Sequence, residues 1–227
     1  MALAYLFDIF SDPAQTKMTI IKNGVWRFIA NGTSKIVRLF VIFVVARLVG
    51  PEQFGVYSYS LSLASLAFLF ADWGMNMLVV KEVSQRSDPA RSLSAAVTVN
   101  LITTIGSFIV GIGVFLLMDN AIHFSIGLAV MAALAFGNVR DVYVNAIIGI
   151  QRSRFEFPVL IADVVMLAIG SAVLIGFGEM DIFAFCLISA LASAASLTVA
   201  VYISRRFLRM PFLRPEYRSE ERRVGKE

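Results

Sequence analysis

Six long apolar runs, separated by short polar links, constrain the fold of this chain more than any other feature of its sequence. The runs are residues 24–49, 54–80, 94–118, 124–150, 157–178 and 182–204. A helix needs about 20 apolar residues to cross the hydrocarbon core of a bilayer, and each run reaches that length. Because a segment in lipid must satisfy its own backbone hydrogen bonds, each run is predicted to be a helix. The predicted fold class is therefore an all-α membrane protein, built as a six-helix transmembrane bundle.

Composition supports a membrane protein and removes several other classes. Hydrophobic residues make up 58% of the 227 and charged residues 16%, against about 45–50% and 25% in soluble domains. The chain has one cysteine, Cys186, and one histidine, His123, so a disulfide within the chain and the usual zinc sites are excluded. The net charge of +4 comes mainly from arginines at the ends of the runs. We therefore expect no nucleic-acid partner and no cofactor.

Basic residues alternate between the links, and this alternation predicts the orientation in the membrane. The links 50–53, 119–123 and 179–181 contain no Lys or Arg. The other links and the flanking segments carry Lys17, Lys22, Lys81, Arg86, Arg91, Arg152, Arg154, Arg205, Arg206, Arg209 and Arg214. Since cytoplasmic links are enriched in Lys and Arg, both ends of the chain are predicted to be cytoplasmic, in a cell membrane crossed several times.

The segments that flank the apolar runs are expected to lie outside the bundle. Residues 1–23 form an N-terminal segment that is either an amphipathic helix at the membrane interface or a disordered leader. Residues 205–217 form a basic cytoplasmic segment. Residues 218–227, RSEERRVGKE, resemble the translation of a common sequencing adapter, so we expect them to be an artefact that follows a cut gene. A genuine charged cytoplasmic tail is the alternative.

The first apolar run carries a polar stripe that a helix surrounded by lipid would not tolerate. At about 100° per residue, the members of the stripe fall within about 100° of arc around the helix. They are Arg27, Asn31, Ser34, Lys35 and Arg38. Each cation near the bilayer centre costs about 2.5–3.5 kcal/mol on insertion scales, so the stripe is expected to face water or protein. Arg27, Asn31, Lys35 and Arg38 are candidates to contact an anion in an internal cavity, or to pair with acidic residues of other helices.

Four more charged residues lie in the other runs. Asp72, near the end of the second run, is a candidate to bind a coupling cation, to pair with a cation of the stripe, or to act as a structural acid. Arg140 and Asp141 are adjacent, so they are expected to point to different sides of their helix. Asp163 lies at a depth similar to that of Arg140 on the next, antiparallel helix. An Arg140–Asp163 ion pair is therefore predicted.

Three short motifs give the chain a resemblance to a known family. Residues 48–57, LVGPEQFGVY, end one apolar run and open the next. Asp72-Trp73-Gly74 follows near the end of the second run, with Lys81-Glu82 after it, and Gly149-Ile150-Gln151-Arg152 leaves the fourth run. In order and spacing, across roughly residues 20–214, these motifs resemble the oligosaccharide flippases of the multidrug/oligosaccharidyl-lipid/polysaccharide exporter superfamily.

The resemblance implies more than the residues alone establish. Members of that family have about twelve to fourteen helices in two bundles that face each other across a cavity, and this chain resembles the first bundle. The implied partners are a polyprenyl-pyrophosphate-linked oligosaccharide, the membrane lipids and a C-terminal bundle of the same polypeptide. The implied role is movement of that lipid-linked glycan between leaflets for surface polysaccharide biosynthesis, driven by an H+ or Na+ gradient.

Three other classes of protein remain as alternatives. A drug/cation antiporter of the same superfamily should have an acidic cavity, which the cationic stripe argues against. A membrane glycosyltransferase needs a sizeable catalytic loop, whereas every link here is short. A scaffold subunit without transport activity should pair all its buried cations within the bundle. Because the short links leave no room for a catalytic loop, we predict that the chain is not an enzyme.

Overall fold

The computed structural model describes residues 13–72, 74–85, 89–117, 121–150, 153–178 and 180–208. Its helices are α1 (Pro13–Asp72), α2 (Met75–Gln85), α3 (Pro89–Leu116), α4 (Ala121–Gly149), α5 (Glu156–Phe177) and α6 (Ile182–Leu208). A short 3₁₀ turn, Ser153–Phe155, leads into α5. Within these described ranges the chain forms helices and turns and no strand. The prediction of an all-α membrane bundle is confirmed, whereas the predictions for residues 1–12 and 209–227 lie outside the described residues.

Helix α1 contains two membrane crossings because it breaks at Gly50. Its apolar part, Arg27–Leu69, has 43 residues, or about 65 Å of helix, roughly twice the thickness of the hydrocarbon core. Gly50 has φ 83° and ψ 169°, a conformation that glycine adopts without steric cost. Pro51 follows and has no N–H to continue the hydrogen-bond ladder. We call residues 13–49 the first arm and residues 51–72 the second arm.

The two arms run back along each other. Arg38 and Ile42 lie before the break, and Tyr57 and Leu61 lie at matching distances after it, yet all four line one cavity. The other long apolar helices are α3, α4, α5 and α6. Together with the two arms they make six crossings.

The second crossing ends earlier than the sequence predicted. The apolar run 54–80 was expected to form one helix, but α1 stops at Asp72 and Gly74 has φ 78°. A single glycine in the left-handed region ends a helix without changing the apolar periodicity around it, so the pattern did not show the break. The short helix α2 then packs through Val79 against Val142 and Ala146 of α4.

The main core lies between the arms and helices α3, α4 and α6. Its buried members include Val45, Phe68, Phe115, Met131 and Phe185. Close packing of α3 on α4 depends on glycine: a methyl group at Gly111 would lie 2.6 Å from Cε of Met131. Small residues commonly allow this approach between membrane helices, where lipid supplies no hydrophobic drive for association.

The outer surface of the bundle is apolar. Opposite the polar stripe, the first arm exposes Val25, Phe28, Ile36, Leu39 and Phe43. Phe28 is 81% exposed. In water such a patch would be far larger than a soluble monomer tolerates, so this face is suited to contact lipid.

The basic residues of the links lie at one end of the bundle. The helices meet at the basic end through the contacts of Arg27 with Glu156 and of Phe155 with Phe207. Gly149 also lies close to Val80, since a methyl group at Gly149 would be 3.1 Å from the carbonyl oxygen of Val80. Lys81, Arg154, Arg205 and Arg206 belong to this end. At the other end, Gln53 and Asp181 line one open groove. The charge alternation along the sequence is thus a physical separation of the two ends.

Candidate functional site

The polar stripe of the first arm packs against α5. At the basic end, Asn31 Nδ2 donates a hydrogen bond of 2.8 Å to Glu156 Oε1, and Arg27 Nε lies 3.5 Å from Glu156 Oε2. The Glu156 side chain is buried, whereas that of Arg27 is 51% exposed. A buried carboxylate of α5 therefore holds two members of the stripe. We call this contact, with the Arg38–Asp163 contact described next, the polar seam.

A second contact of the polar seam lies farther from the basic end. Arg38 Nη2 lies 3.6 Å from Asp163 Oδ2. Asp163 follows Glu156 by seven residues, which is nearly two full turns, so both acids lie on the same face of α5. The Arg38 side chain remains 44% exposed, and that of Asp163 is buried. Two members of the stripe are thus ion-paired to α5.

Asp163 also joins α4 and α6 to the polar seam. Arg140 Nη1 lies 3.6 Å from Asp163 Oδ2, which is the pairing that the depths of these residues predicted. The hydroxyl of Ser193 donates to Asp163 Oδ1 at 3.5 Å. The side chains of Arg140 and Asp163 are only 12% and 7% exposed. One buried carboxylate therefore receives contacts from three other helices.

The expectation that Arg140 and Asp141 point to different sides is wrong. Arg140 Nη2 and Nε lie 2.8 Å and 2.9 Å from Asp141 Oδ1. Adjacent residues leave a helix about 100° apart, but the long arginine side chain bends back across that angle to reach its neighbour. Arg140 thus has two carboxylate partners, Asp141 and Asp163.

Lys35 differs from the other cations of the stripe. Its side chain is exposed. Across the described ranges of the chain, Arg27, Arg38 and Arg140 have carboxylate partners and Lys35 has none. Asp72 is the last residue of α1, and its side chain lies outside the described part of the structure.

A cavity of about 300 Å³ opens beside Arg38, Arg140 and Asp141, and residues of the two arms and of helices α4, α5 and α6 line it. We call it the central cavity. Its charged and polar lining residues are Arg38, Tyr57, Asn138, Arg140, Asp141, Ser189 and Ser193. Ile42, Leu61, Leu134, Leu167 and Phe185 are among its apolar lining residues. The cavity can therefore offer both hydrogen bonds and apolar contacts.

Sequence reasoning missed the role of Glu156, because the fifth apolar run was taken to begin one residue later. Its spacing of seven residues from Asp163 was a usable signal, since it places both acids on one helix face. Ser193 is not among the candidate residues that the sequence predicts. Nothing in the local sequence indicates that this serine meets Asp163 of another helix.

Comparison with known proteins places the chain in a family. It is 30% identical over 86 residues to the capsular polysaccharide biosynthesis protein CapF of Staphylococcus aureus, covering 38% of this chain and 21% of that protein. It is 34% identical over 71 residues to a putative O-antigen transporter of Shigella flexneri, covering 31% and 17%. The matched segments thus span about a fifth of these relatives. No solved structure matches the chain significantly. The sequence profile described as "Polysaccharide biosynthesis protein" matches residues 20–223, so the chain belongs to that family of membrane proteins.

Proposed function

We propose that this chain is one bundle of a flippase that moves a polyprenyl-pyrophosphate-linked oligosaccharide across the cytoplasmic membrane for surface polysaccharide biosynthesis. The observation that carries the proposal is the family match over residues 20–223, which includes all six crossings. The similarity to a protein named as a putative O-antigen transporter supports transport rather than catalysis.

The stripe of the first arm supplies the contact with the pyrophosphate. Lys35 lies about 16 Å along the helix from Gly24, too deep to reach the near surface by extending its side chain. It is exposed and, among the described residues, has no carboxylate partner, so its charge is available to an anion. Arg27 and Arg38 flank it and keep 51% and 44% of their side chains exposed. Asn31 positions the stripe through its hydrogen bond to Glu156.

The charges argue against the two remaining alternatives. An antiporter for cationic drugs needs a carboxylate free to bind a cation, whereas Asp163 contacts two guanidinium groups and Glu156 contacts Arg27 and Asn31. A scaffold subunit should leave no membrane-embedded cation without a partner. Among the described residues Lys35 breaks that rule.

Transport requires a second bundle of the same polypeptide that faces the stripe. The two bundles rock against each other, so that the stripe is reached first from one leaflet and then from the other. The basic end of this bundle faces the cytoplasm, as expected from the positive-inside rule. An H+ or Na+ gradient resets the cycle, and Asp72 is the candidate coupling residue, since Asp141 and Asp163 are ion-paired with guanidinium groups. A reporter fused within residues 119–123 tests this orientation. A cytoplasmic signal from it would contradict the orientation.

Glycan export by a Lys35→Gln variant tests the proposal. The variant is produced from the intact gene in a polysaccharide-exporting host that lacks its own flippase, and surface polysaccharide is measured. We expect export to fall at least about tenfold, because the anion loses its available cation. Arg47→Gln is the matched control, since Arg47 is exposed on the same arm, outside the stripe. Normal export by a Lys35→Gln protein that is fully inserted would contradict the proposal.

A further inference from the structure

We propose that the central cavity is a binding subsite for one uncharged sugar unit of the transported glycan, separate from the pyrophosphate contact at Lys35. This inference rests on the proposed function and assigns a ligand to a cavity that the stripe does not explain. Three observations carry it: the charge balance around the cavity, its unused hydrogen-bonding groups, and its size and apolar walls.

The charges around the central cavity cancel. Two guanidinium groups, Arg38 and Arg140, face two carboxylates, Asp141 and Asp163, at 2.8–3.6 Å. A multiply charged anion that entered the cavity would meet Asp141 on its wall. It would also meet two guanidinium groups whose charge Asp163 already offsets from behind the wall. The attraction of the guanidinium groups is therefore offset at short range. A neutral ligand has no such conflict.

Several polar groups on the cavity wall have hydrogen-bonding capacity that the protein does not use. Among the described residues, Tyr57, Asn138 and Ser189 line the cavity and have no side-chain hydrogen bond. Elsewhere in the bundle the amides of Asn31 and Asn145 are hydrogen-bonded to side chains of other helices. Unused groups in a partly buried position normally meet water or a ligand.

The chemistry of these groups matches a sugar. Tyr and Ser hydroxyls and the Asn amide each donate and accept hydrogen bonds, as the hydroxyl groups of a sugar do. Tyr57 lies on the second arm, Asn138 on α4, and Ser189 on α6, so the groups converge from three sides. An anion, in contrast, can only accept hydrogen bonds, so the acceptor oxygens of the cavity wall would receive no hydrogen bond from it.

The size and apolar walls of the cavity also suit one sugar ring. A volume of about 300 Å³ is at the lower end of ligand pockets. The rings of Tyr57 and Phe185 meet edge to face with centroids 5.7 Å apart. The buried ring of Phe185 supports that of Tyr57, and Tyr57 and Leu61 offer a surface to the C–H face of a sugar, while the polar groups meet its hydroxyls.

Binding of two separate probes to the purified 227-residue chain in detergent tests the assignment. Methyl glucoside, a neutral sugar, is followed by saturation-transfer NMR, and inorganic pyrophosphate by phosphorus NMR line broadening. We expect Asn138→Leu and Ser189→Ala, which remove two of the unused groups, to weaken sugar binding at least fivefold and to leave pyrophosphate binding within twofold. Lys35→Gln should do the reverse. Thr198→Val is the matched control on α6, because it also deletes one hydroxyl but at an exposed position.

Three results would overturn the assignment. Absence of sugar binding at the highest soluble sugar concentration would do so, as would sugar binding that is indifferent to Asn138→Leu and Ser189→Ala. Pyrophosphate binding that is lost in these two variants and displaced by the sugar would make the cavity the anion site. That last result leaves the proposed flippase function standing. Normal export by a fully inserted Lys35→Gln protein would instead count against the proposed function alone. Circular dichroism checks that each variant keeps its helices, and Tyr57→Phe replaces any variant that does not.

Discussion

The open face of the first arm and the wall of the central cavity both carry cations, but they differ in pairing. On the open face, Lys35 is exposed and has no carboxylate partner among the described residues. At the cavity, Arg38 and Arg140 share Asp163, and Arg140 also holds Asp141. Lys35 and Arg38, about one helical turn apart on the first arm, thus present different electrostatic fields to a ligand. Pairing with neighbouring helices, rather than the number of cations, decides which charge a ligand meets.

The charge balance at the cavity predicts that Asp163→Ala has the largest effect on stability. The change leaves the buried Arg140 with Asp141 alone and removes the partner of Arg38. We expect a loss of about 3 kcal/mol in the free energy of unfolding, as for the breaking of buried ion pairs. Unfolding of the purified chain in detergent by heat or denaturant measures it.

Asp141→Ala is the control for this comparison. Asp141 is 42% exposed, so its contact with Arg140 is screened by solvent, and the loss should be about 1 kcal/mol or less. If Asp141→Ala destabilised the chain as much as Asp163→Ala, the buried carboxylate would not be the centre of the cluster.

The contacts of Glu156 in the polar seam predict that its substitution has an intermediate effect on stability. Glu156→Ala removes the acceptor for Asn31 and the partner of Arg27, and we expect a loss of about 2 kcal/mol. Glu156→Gln should cost about half as much, since its amide oxygen still accepts the hydrogen bond from Asn31. The same unfolding measurement compares the two variants. An equal loss in both would show that the charge of Arg27, and not the hydrogen bond of Asn31, holds the first arm to α5.

We expect Lys35→Gln to have the smallest effect on stability. The side chain is exposed and unpaired within the described chain, so the change should stay within about 0.5 kcal/mol. This prediction sharpens the comparison because the same variant is expected to lose most glycan export. A loss as large as that of Asp163→Ala would mean that Lys35 has a structural role.

The sequence predicted the crossings well because apolar length is a local property. Six runs long enough for a bilayer became six crossings, and helical periodicity placed Arg27, Asn31 and Arg38 on one face, where α5 meets them. The break at Gly74 was missed because one left-handed residue does not disturb the periodicity. Local patterns thus identify helices more reliably than they identify single-residue breaks.

The partners of the polar residues were less predictable, because they depend on which helices become neighbours. The similar depths of Arg140 and Asp163 on antiparallel helices were enough to predict one pair. Glu156 was missed although it lies on the same face of α5 as Asp163. The contact between Arg140 and Asp141 depends on side-chain length, which the angle between adjacent residues does not express. That Lys35 has no carboxylate partner among the described residues emerges only when the neighbouring helices are in place.

The most direct test compares the pyrophosphate affinity of the Lys35→Gln and Arg38→Gln variants, measured side by side on the purified chain. It asks whether ion pairing decides which cation is available to bind an anion. Both changes remove one positive charge from the same arm, three residues apart. We expect Lys35→Gln to weaken binding by about tenfold, or about 1.4 kcal/mol, and Arg38→Gln by less than about threefold, or about 0.7 kcal/mol, since the charge of Arg38 is already offset by Asp163. A larger loss in Arg38→Gln than in Lys35→Gln would contradict this division between the open stripe and the charge-balanced cavity.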